Sequence, residues 1–366
     1  MSRRAVLFAG GGTGGHILPA AAIAEHLTER DPATRVEFIC SDRAIDLAVM
    51  GRLGAPFTVI PARPFGAHPA ALARLAWTWG ACVRAARERI RALARETGGV
   101  TVVATGGFVG PPVVRAALAQ GARVALVNLD AVPGRANRWM ARRASAVFTA
   151  FPIVGEPAWE VVGPIVRRSA RPTGDAADCR RALGLDPDRA TLVVLGGSQG
   201  AGTINDAMIS MAQRRDAALE PWQIVHQTGD RDATRVARAY AAAGLPAVVE
   251  SFFDPIGPVW GAADLVVARA GAGTVAEASA ARAPCVFLPY PHHRDDHQRA
   301  NAGPMVGAGA AIVLEDRADT GRNAEALSAA LSDLAPGSDR LAAMARSAGG
   351  LGPADGAGAI ADRLCR

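Results

Sequence analysis

Residues 5–27 read AVLFAGGGTGGHILPAAAIAEHL, and residues 191–211 read TLVVLGGSQGAGTINDAMISM. Each is an apolar run that breaks on glycines and reopens as a helical pattern. An apolar run without alternation suits a strand covered on both faces. A glycine turn from such a strand into a helix leaves unpaired backbone N–H groups at the positive end of the helix dipole. That is a natural anion site. Gly10 and Gly196 mark the two turns, one in each half of the chain. The expectation is two α/β domains facing each other across a cleft, with a phosphate-bearing ligand between them.

Outward from these stretches, strand-like runs alternate with helical patterns. In the first half they fall at Ala5–Ala9, Arg35–Cys40, Phe57–Ile60, Val100–Ala104, Arg123–Val127 and Ala146–Ala150. In the second half they fall at Thr191–Leu195, Trp222–His226, Ala247–Ser251, Asp264–Ala268, Cys285–Leu288 and Ala311–Leu314. Such alternation implies βαβ units and parallel sheets. The 366 residues, half of them apolar, suit two domains that each bury a core. Prolines at 152, 157, 164 and 172 place a linker near Gly163–Asp175. The tail after Asn323 reads as helical and alanine-rich.

Composition narrows the chemistry. The chain has no lysine; all 40 basic residues are arginine. This excludes a Walker-A phosphate lysine, a kinase ion-pair lysine and a Schiff base. Any phosphate must be held by backbone N–H, hydroxyls, arginine or a metal. The formal charge of +6 favours anionic partners such as nucleotides or acidic lipid surfaces. No RNA-binding signature is visible and aromatics are few, so nucleic acid is not an expected partner. Cys40, Cys82, Cys179, Cys285 and Cys365 are scattered and form no CxxC pair, as suits reduced thiols. The start MSRRAVLFAG has basic residues before an apolar run, but the run is short and ends in GGGTGGH. It reads as a core strand, not a secretory signal. No stretch reaches the roughly 18 apolar residues of a membrane span. Residues 69–96 set Leu72, Leu75, Trp77, Trp79 and Val83 beside Arg74, Arg84, Arg87, Arg89, Arg91 and Arg95. That mixture suits either an interfacial helix on anionic lipid or a crossover helix with a solvated basic face.

Three glycine loops carry the candidate chemistry. The first, Gly10 to Gly15 followed by His16, satisfies GxGxxG. A dinucleotide reading wants an acid at the end of the second strand; Asp42 is the nearest and comes late. His16 begins the helix beside the loop, where a neutral imidazole can take a proton from an incoming hydroxyl. The second loop, Gly196-Gly197-Ser198-Gln199-Gly200, also satisfies the GxSxG of a hydrolase elbow, with Asp254 or Asp264 and His292, His293 or His297 downstream as triad partners. The same hydroxyl and amides suit a diphosphate equally. The third loop runs Ala268-Arg269-Ala270-Gly271-Ala272-Gly273-Thr274-Val275-Ala276-Glu277. Its small residues admit a ligand close to backbone, Thr274 can donate, and Glu277 can accept both hydroxyls of a ribose. Two anion loops in one half suggest a nucleoside diphosphate site. Further on, His293 and His297 are spaced as a possible metal pair, and Gln298 and Asn301 lie one turn apart, within reach of sugar hydroxyls. The DxD patterns at Asp186–Asp188 and Asp230–Asp232 read as solvated turns.

The stretches GGTGGH, ATGGFVGPP (Ala104–Pro112), AVPGRANRWMA (Ala131–Ala141), GGSQGA, HQTG (His226–Gly229), ARAGAGTVAE and DDHQRANA together resemble the MurG family. That family transfers N-acetylglucosamine onto lipid I in peptidoglycan synthesis. The resemblance implies an α/β GT-B fold of two Rossmann-like doubly wound parallel-sheet domains facing a cleft. Residues 1–163 would take the lipid-linked acceptor at the membrane, and residues 164–345 the donor UDP-N-acetylglucosamine. Residues 346–366 would form a helix packing back on the first domain. Carried over motif by motif, Thr13, Gly14 and Gly15 approach the donor, and Asp130 occupies the position of a family asparagine near the sugar. Arg167 matches an arginine at the domain junction that contacts the donor, and Ser198 contacts phosphate. Phe253 lies where backbone reads uracil, Ala272, Gly273, Thr274, Val275, Ala276 and Glu277 hold diphosphate and ribose, and Gln298 the sugar. His16 matches the proposed base. The resemblance implies no cofactor and no metal. It also implies peripheral attachment to an anionic membrane surface on the cytoplasmic face, with other cell-wall synthesis proteins as possible partners.

The sequence departs from the family at one place. Where the family has HEQN, this chain has Val127-Asn128-Leu129-Asp130, so a basic and an acidic side chain are lost and an amide becomes a carboxylate. Three other readings share some of these motifs: a related glycosyltransferase with another lipid or natural-product acceptor, a GxSxG serine hydrolase, and a nucleotide-sugar-binding protein without catalysis.

Overall fold

The computed structural model describes residues 4–12, 15–65, 68–197, 200–291, 296–351 and 355–366. The chain divides into two units, Met1–Arg167 with Ala354–Arg366, and Arg168–Pro353.

In the first unit, strands β1 (Ala5–Ala9), β2 (Arg35–Ser41), β3 (Phe57–Ile60), β4 (Val100–Ala104), β5 (Arg123–Asn128), β6 (Ala146–Thr149) and β7 (Glu160–Val161) form one sheet in the order β3-β2-β1-β4-β5-β6-β7. Every pairing is parallel. Ala5 of β1 lies opposite Arg35 on one side and Val100 on the other. All five β1 residues are buried, as a strand with helices on both faces requires. Strand order reverses between β1 and β4, the switch point at which doubly wound sheets bind ligands beyond their carboxyl ends.

The second unit repeats the plan. Strands β8 (Thr191–Leu195), β9 (Gln223–Gln227), β10 (Ala247–Glu250), β11 (Leu265–Ala268), β12 (Cys285–Phe287) and β13 (Ala311–Val313) pair in parallel in the order β10-β9-β8-β11-β12-β13. Its switch point lies between β8 and β11. Leu192, Val194, Ile224, Leu265 and Val267 face a core that also buries Trp222 and Tyr240.

The division falls later than expected, at Arg167–Arg168 instead of after Gly163, and the return to the first unit begins at Ala354, not at residue 346. The helix Asp339–Gly349 stays with the second unit, where Leu341 and Met344 join the core. The helix Gly356–Cys365 is the part that closes the first unit. The Gly356 N–H donates to the Pro164 carbonyl at 2.9 Å, which holds Pro164 to this unit. A Cβ at position 356 would stand 2.7 Å from that oxygen, so only glycine permits the approach. The same helix lies against the helix Ile17–Arg30, through Arg30 to Asp362 at 2.6 Å and His26 to Asp355 at 3.3 Å.

Among its described side chains, the helix Pro69–Thr97 is buried from its middle onward, through Cys82, Ala86, Ile90 and Leu93 at helical spacing. In its first half Trp77 is 89% exposed. No helix among the described residues is long and apolar enough to cross a membrane.

Candidate functional site

In the first unit the loops after β1 and β4 flank the switch point, and His16 stands where they meet. It is the residue before the helix Ile17–Arg30 and its side chain does not cap that helix. Its Nδ1 lies 2.9 Å from the Thr105 carbonyl oxygen, and Thr105 Oγ1 donates to the His16 carbonyl at 2.7 Å. A carbonyl can only accept, so Nδ1 carries a proton, and in the neutral ring the lone pair then sits on Nε2. Gly106 and Gly107 form the wall behind the ring, with φ of 106° and 71°. A Cβ on either would lie 3.0 Å from imidazole carbon, and on Gly107 also 2.4 Å from the Gly11 carbonyl. The ATGG motif is therefore the seat of the imidazole.

The first glycine loop is not the open anion cradle expected at Gly12. The Gly12 N–H points to both oxygens of Asp46, at 2.9 and 2.7 Å, and Arg43 donates to the Gly12 carbonyl at 2.7 Å. Asp46 is fully buried and also accepts from the Ser41 hydroxyl. A carboxylate of the protein thus takes the place of an anion at this amide. Thr13 and Gly14 lie outside the described residues; Gly15 is exposed. The dinucleotide reading loses its acid, because Asp42 is held bidentate by Arg63 at 2.6 and 2.8 Å. The hydrogen bond from Arg63 holds the Asp42 carboxyl below its ordinary range.

At Val127–Asp130 the departure from the family pattern is folded inward. Val127 and Asn128 end β5 and are fully buried. Asn128 donates to the Asp130 carbonyl at 2.7 Å and to Thr149 at 3.1 Å, and accepts from Asn137 at 2.9 Å. Asp130 itself is half-buried.

In the second unit the helices Gly202–Gln213 and Ala272–Ala281 begin at the switch point. Neither is capped by a side chain. Their first-turn amides are the donors that an anion would meet. Gly200 has φ of 76°, and a Cβ there would lie 2.2 Å from the Thr228 carbonyl, so the loop turns tightly against the HQTG segment. Ser198 lies outside the described residues. Gln227 ties two loops together: its Nε2 donates to the Gly197 carbonyl at 3.2 Å and its Oε1 accepts the Phe253 N–H at 3.0 Å. The Phe253 amide is thereby engaged within the protein. Glu277 accepts the indole N–H of Trp260 at 3.0 Å. Gln298 accepts the Tyr290 N–H at 2.9 Å through its amide oxygen. Asn301, expected beside it, is instead buried and donates to the Ala270 carbonyl.

Sequence reasoning missed the brace beneath these loops. Arg269 is buried and donates to Asp316 at 2.7 Å, to Thr203 at 2.7 Å and to the Leu288 carbonyl at 2.8 Å. Burial would raise the Asp316 carboxyl, but bonds from Thr203, the Ala318 N–H, Asn323 and Arg269 outweigh it and hold it low. The brace joins the starts of both helices. An arginine inside a glycine loop was the only available signal.

Two other expectations change. Asp232 is not simply solvated: it accepts from Asn205 at 2.8 Å, and Asn205 in turn holds His226. His226 is fully buried between Asn205 and Tyr240, and burial lowers it to about 3, so it stays neutral. Asp264 cannot serve a Ser198 triad, because it accepts the Thr191 N–H at 2.7 Å and pairs with Arg180. That places it where β8 begins, at the opposite end of the strand from Leu195 and the glycines that follow it. His292 and His293 lie outside the described residues. Among the described residues no group of three His, Cys, Asp or Glu is arranged to hold a metal.

Two doubly wound units, each with a glycine loop at its switch point, are the frame of a two-domain glycosyltransferase, and the class is shown by the match to models of the glycosyltransferase family 28 N-terminal domain over residues 6–149 and C-terminal domain over residues 191–360. It is 35% identical over 366 residues to the UDP-N-acetylglucosamine--N-acetylmuramyl-(pentapeptide) pyrophosphoryl-undecaprenol N-acetylglucosamine transferase of Anaeromyxobacter dehalogenans (strain 2CP-C), covering 98% of this chain and 91% of that one. It is 33% identical over 362 residues to the protein of the same name from Geobacter sp. (strain M21), covering 97% and 94%. The chain belongs to the family of these transferases, the MurG family. The crystal structure of Acinetobacter baumannii MurG superposes with a TM-score of 0.71 over 99% of both chains at 23% identity, and the fold is GT-B.

Proposed function

We propose that this chain is an inverting glycosyltransferase that moves N-acetylglucosamine from UDP-N-acetylglucosamine to the muramoyl sugar of a lipid-linked pyrophosphoryl acceptor, converting lipid I to lipid II. The observation that carries the proposal is the His16 hydrogen bond to the Thr105 carbonyl, which leaves Nε2 as a fixed base. The acceptor hydroxyl gives its proton to Nε2 as its oxygen bonds the anomeric carbon. The bond from that carbon to the β-phosphate oxygen breaks, and UDP leaves with the electron pair. First-turn amides at Gly273–Thr274, the Ser198 hydroxyl and Arg167 would meet the charge that develops. Arg167 is buried with its Nε unbonded among the described residues, as a guanidinium awaiting an anion would be. Thr13, Gly14, Gly15, Asp130 and Gln298 would line the sugar. The carbonyl of Phe253 would read the base.

Attachment to an anionic membrane face, on the cytoplasmic side, is part of the proposal. It is supported by exposed Trp77 on the same helix as exposed Arg74 and Arg84, and by exposed Phe65. Purified protein should transfer radiolabelled sugar from UDP-N-acetylglucosamine to lipid I, and should do so in EDTA; no transfer, or a strict divalent requirement, overturns the mechanism. A second reading, the same chemistry on a different lipid-linked acceptor, is favoured by the inward-folded Val127–Asp130. Competing lipid I against other acceptors separates the two.

A further inference from the structure

Glu277 sits in the second turn of the helix Ala272–Ala281, partly exposed, and a glutamate side chain in general loses rotamer freedom when it is ordered. A carboxylate that must accept two hydroxyls at once binds best when its orientation is fixed beforehand. The structure supplies a fixing group from a different element. Trp260, in the short helix Gly257–Ala262, is 2% exposed and donates its indole N–H to Glu277 Oε2 at 3.0 Å. Indole nitrogen is a donor only, and a buried one that loses its partner is left unsatisfied. The bond is therefore held whether or not a ligand is present. It is also charge-assisted, which strengthens it. Phe253 precedes Trp260 on the same segment, so one stretch of chain would serve both the base and the ribose.

We propose that Trp260 is a positioning residue for ribose recognition: its N–H locks the Glu277 carboxylate in the orientation that accepts the 2′- and 3′-hydroxyls of a nucleoside diphosphate. The proposal rests on the reading of Glu277 as the ribose acceptor. It is tested by calorimetry with UDP and with 2′,3′-dideoxy-UDP, which lacks both hydroxyls. The wild-type chain should prefer UDP, and Glu277→Gln should remove most of that preference. Trp260→Phe should weaken UDP by about five- to tenfold while leaving dideoxy-UDP unchanged. In turnover it should raise the KM for the donor with little change in kcat. Should Trp260→Phe fold poorly, β-(3-benzothienyl)alanine at position 260 keeps the shape and removes only the N–H. Loss of the preference in that chain supports the proposal. If Glu277→Gln keeps the wild-type preference, the ribose reading itself fails. If Glu277→Gln loses it but both position-260 chains keep it, or if both ligands weaken equally, Trp260 is merely structural and the proposal is overturned.

Discussion

His16, the proposed base, is set up by its neighbours as much as by its own ring. A backbone carbonyl chooses its tautomer, a hydroxyl of the same threonine holds its main chain, and two glycines clear the space for its ring. Replacing His16 by alanine should cut turnover by on the order of 10²–10⁴ while donor binding persists, measured by single-turnover transfer and calorimetry. Gly107→Ala should act on the same ring indirectly. Its Cβ would press on the Gly11 carbonyl and its φ is left-handed, so a loss of about 1–3 kcal/mol in unfolding free energy is expected together with reduced kcat. A variant of unchanged stability and rate would show that the seat is not needed. His226 makes the opposite use of imidazole. Its folded value is lowered to about 3 against an ordinary 6.5. The unfolded chain therefore takes up a proton that the folded one refuses, and stability should fall as pH drops from 6.5 toward 3. Thermal melts of the wild-type chain and His226→Gln between pH 7 and 5 should show a smaller loss in the variant.

Among the elements, the long helix Pro69–Thr97 divides its labour along its length: a buried stripe in its second half and an exposed tryptophan with arginines in its first. Trp77→Ser should reduce sedimentation with phosphatidylglycerol vesicles without changing the melting temperature, and added salt should weaken the remaining binding. Equal sedimentation of both chains would refute that role. The strands were legible in the sequence because a strand covered on both faces must be apolar at every position, and β1 and β8 are buried throughout. The two-residue β7 was not, since Glu160–Val161 has no such run and is exposed. The switch-point loops were legible from their glycines. What fills them was not. Asp46 reads in sequence as an ordinary acid in the first turn of a helix, and nothing local announces that Gly12 is its partner. Arg269 to Asp316 and Trp260 to Glu277 likewise join positions with no shared periodicity. Side-chain bonds between distant segments depend on the finished topology, so pattern reading finds the sheet and misses the braces.

At the scale of the whole molecule, four cysteines are buried and Cys365 is only partly covered. Burial pushes the Cys40 thiol up to about 12, with Asp46 adding to the rise. Native protein should therefore react with Ellman's reagent at no more than one thiol, and at all five only once unfolded. More than one rapid thiol in the native chain would contradict the packing. The first unit is also completed by the far end of the chain, where Ala357, Ile360 and Ala361 are fully buried. On the ribosome this inverts the usual order of events, in which the segment made first folds first. The amino-terminal half must wait, with one flank of its opening helix uncovered, until translation has delivered the closing helix. The later-made half, continuous in sequence, can finish before it.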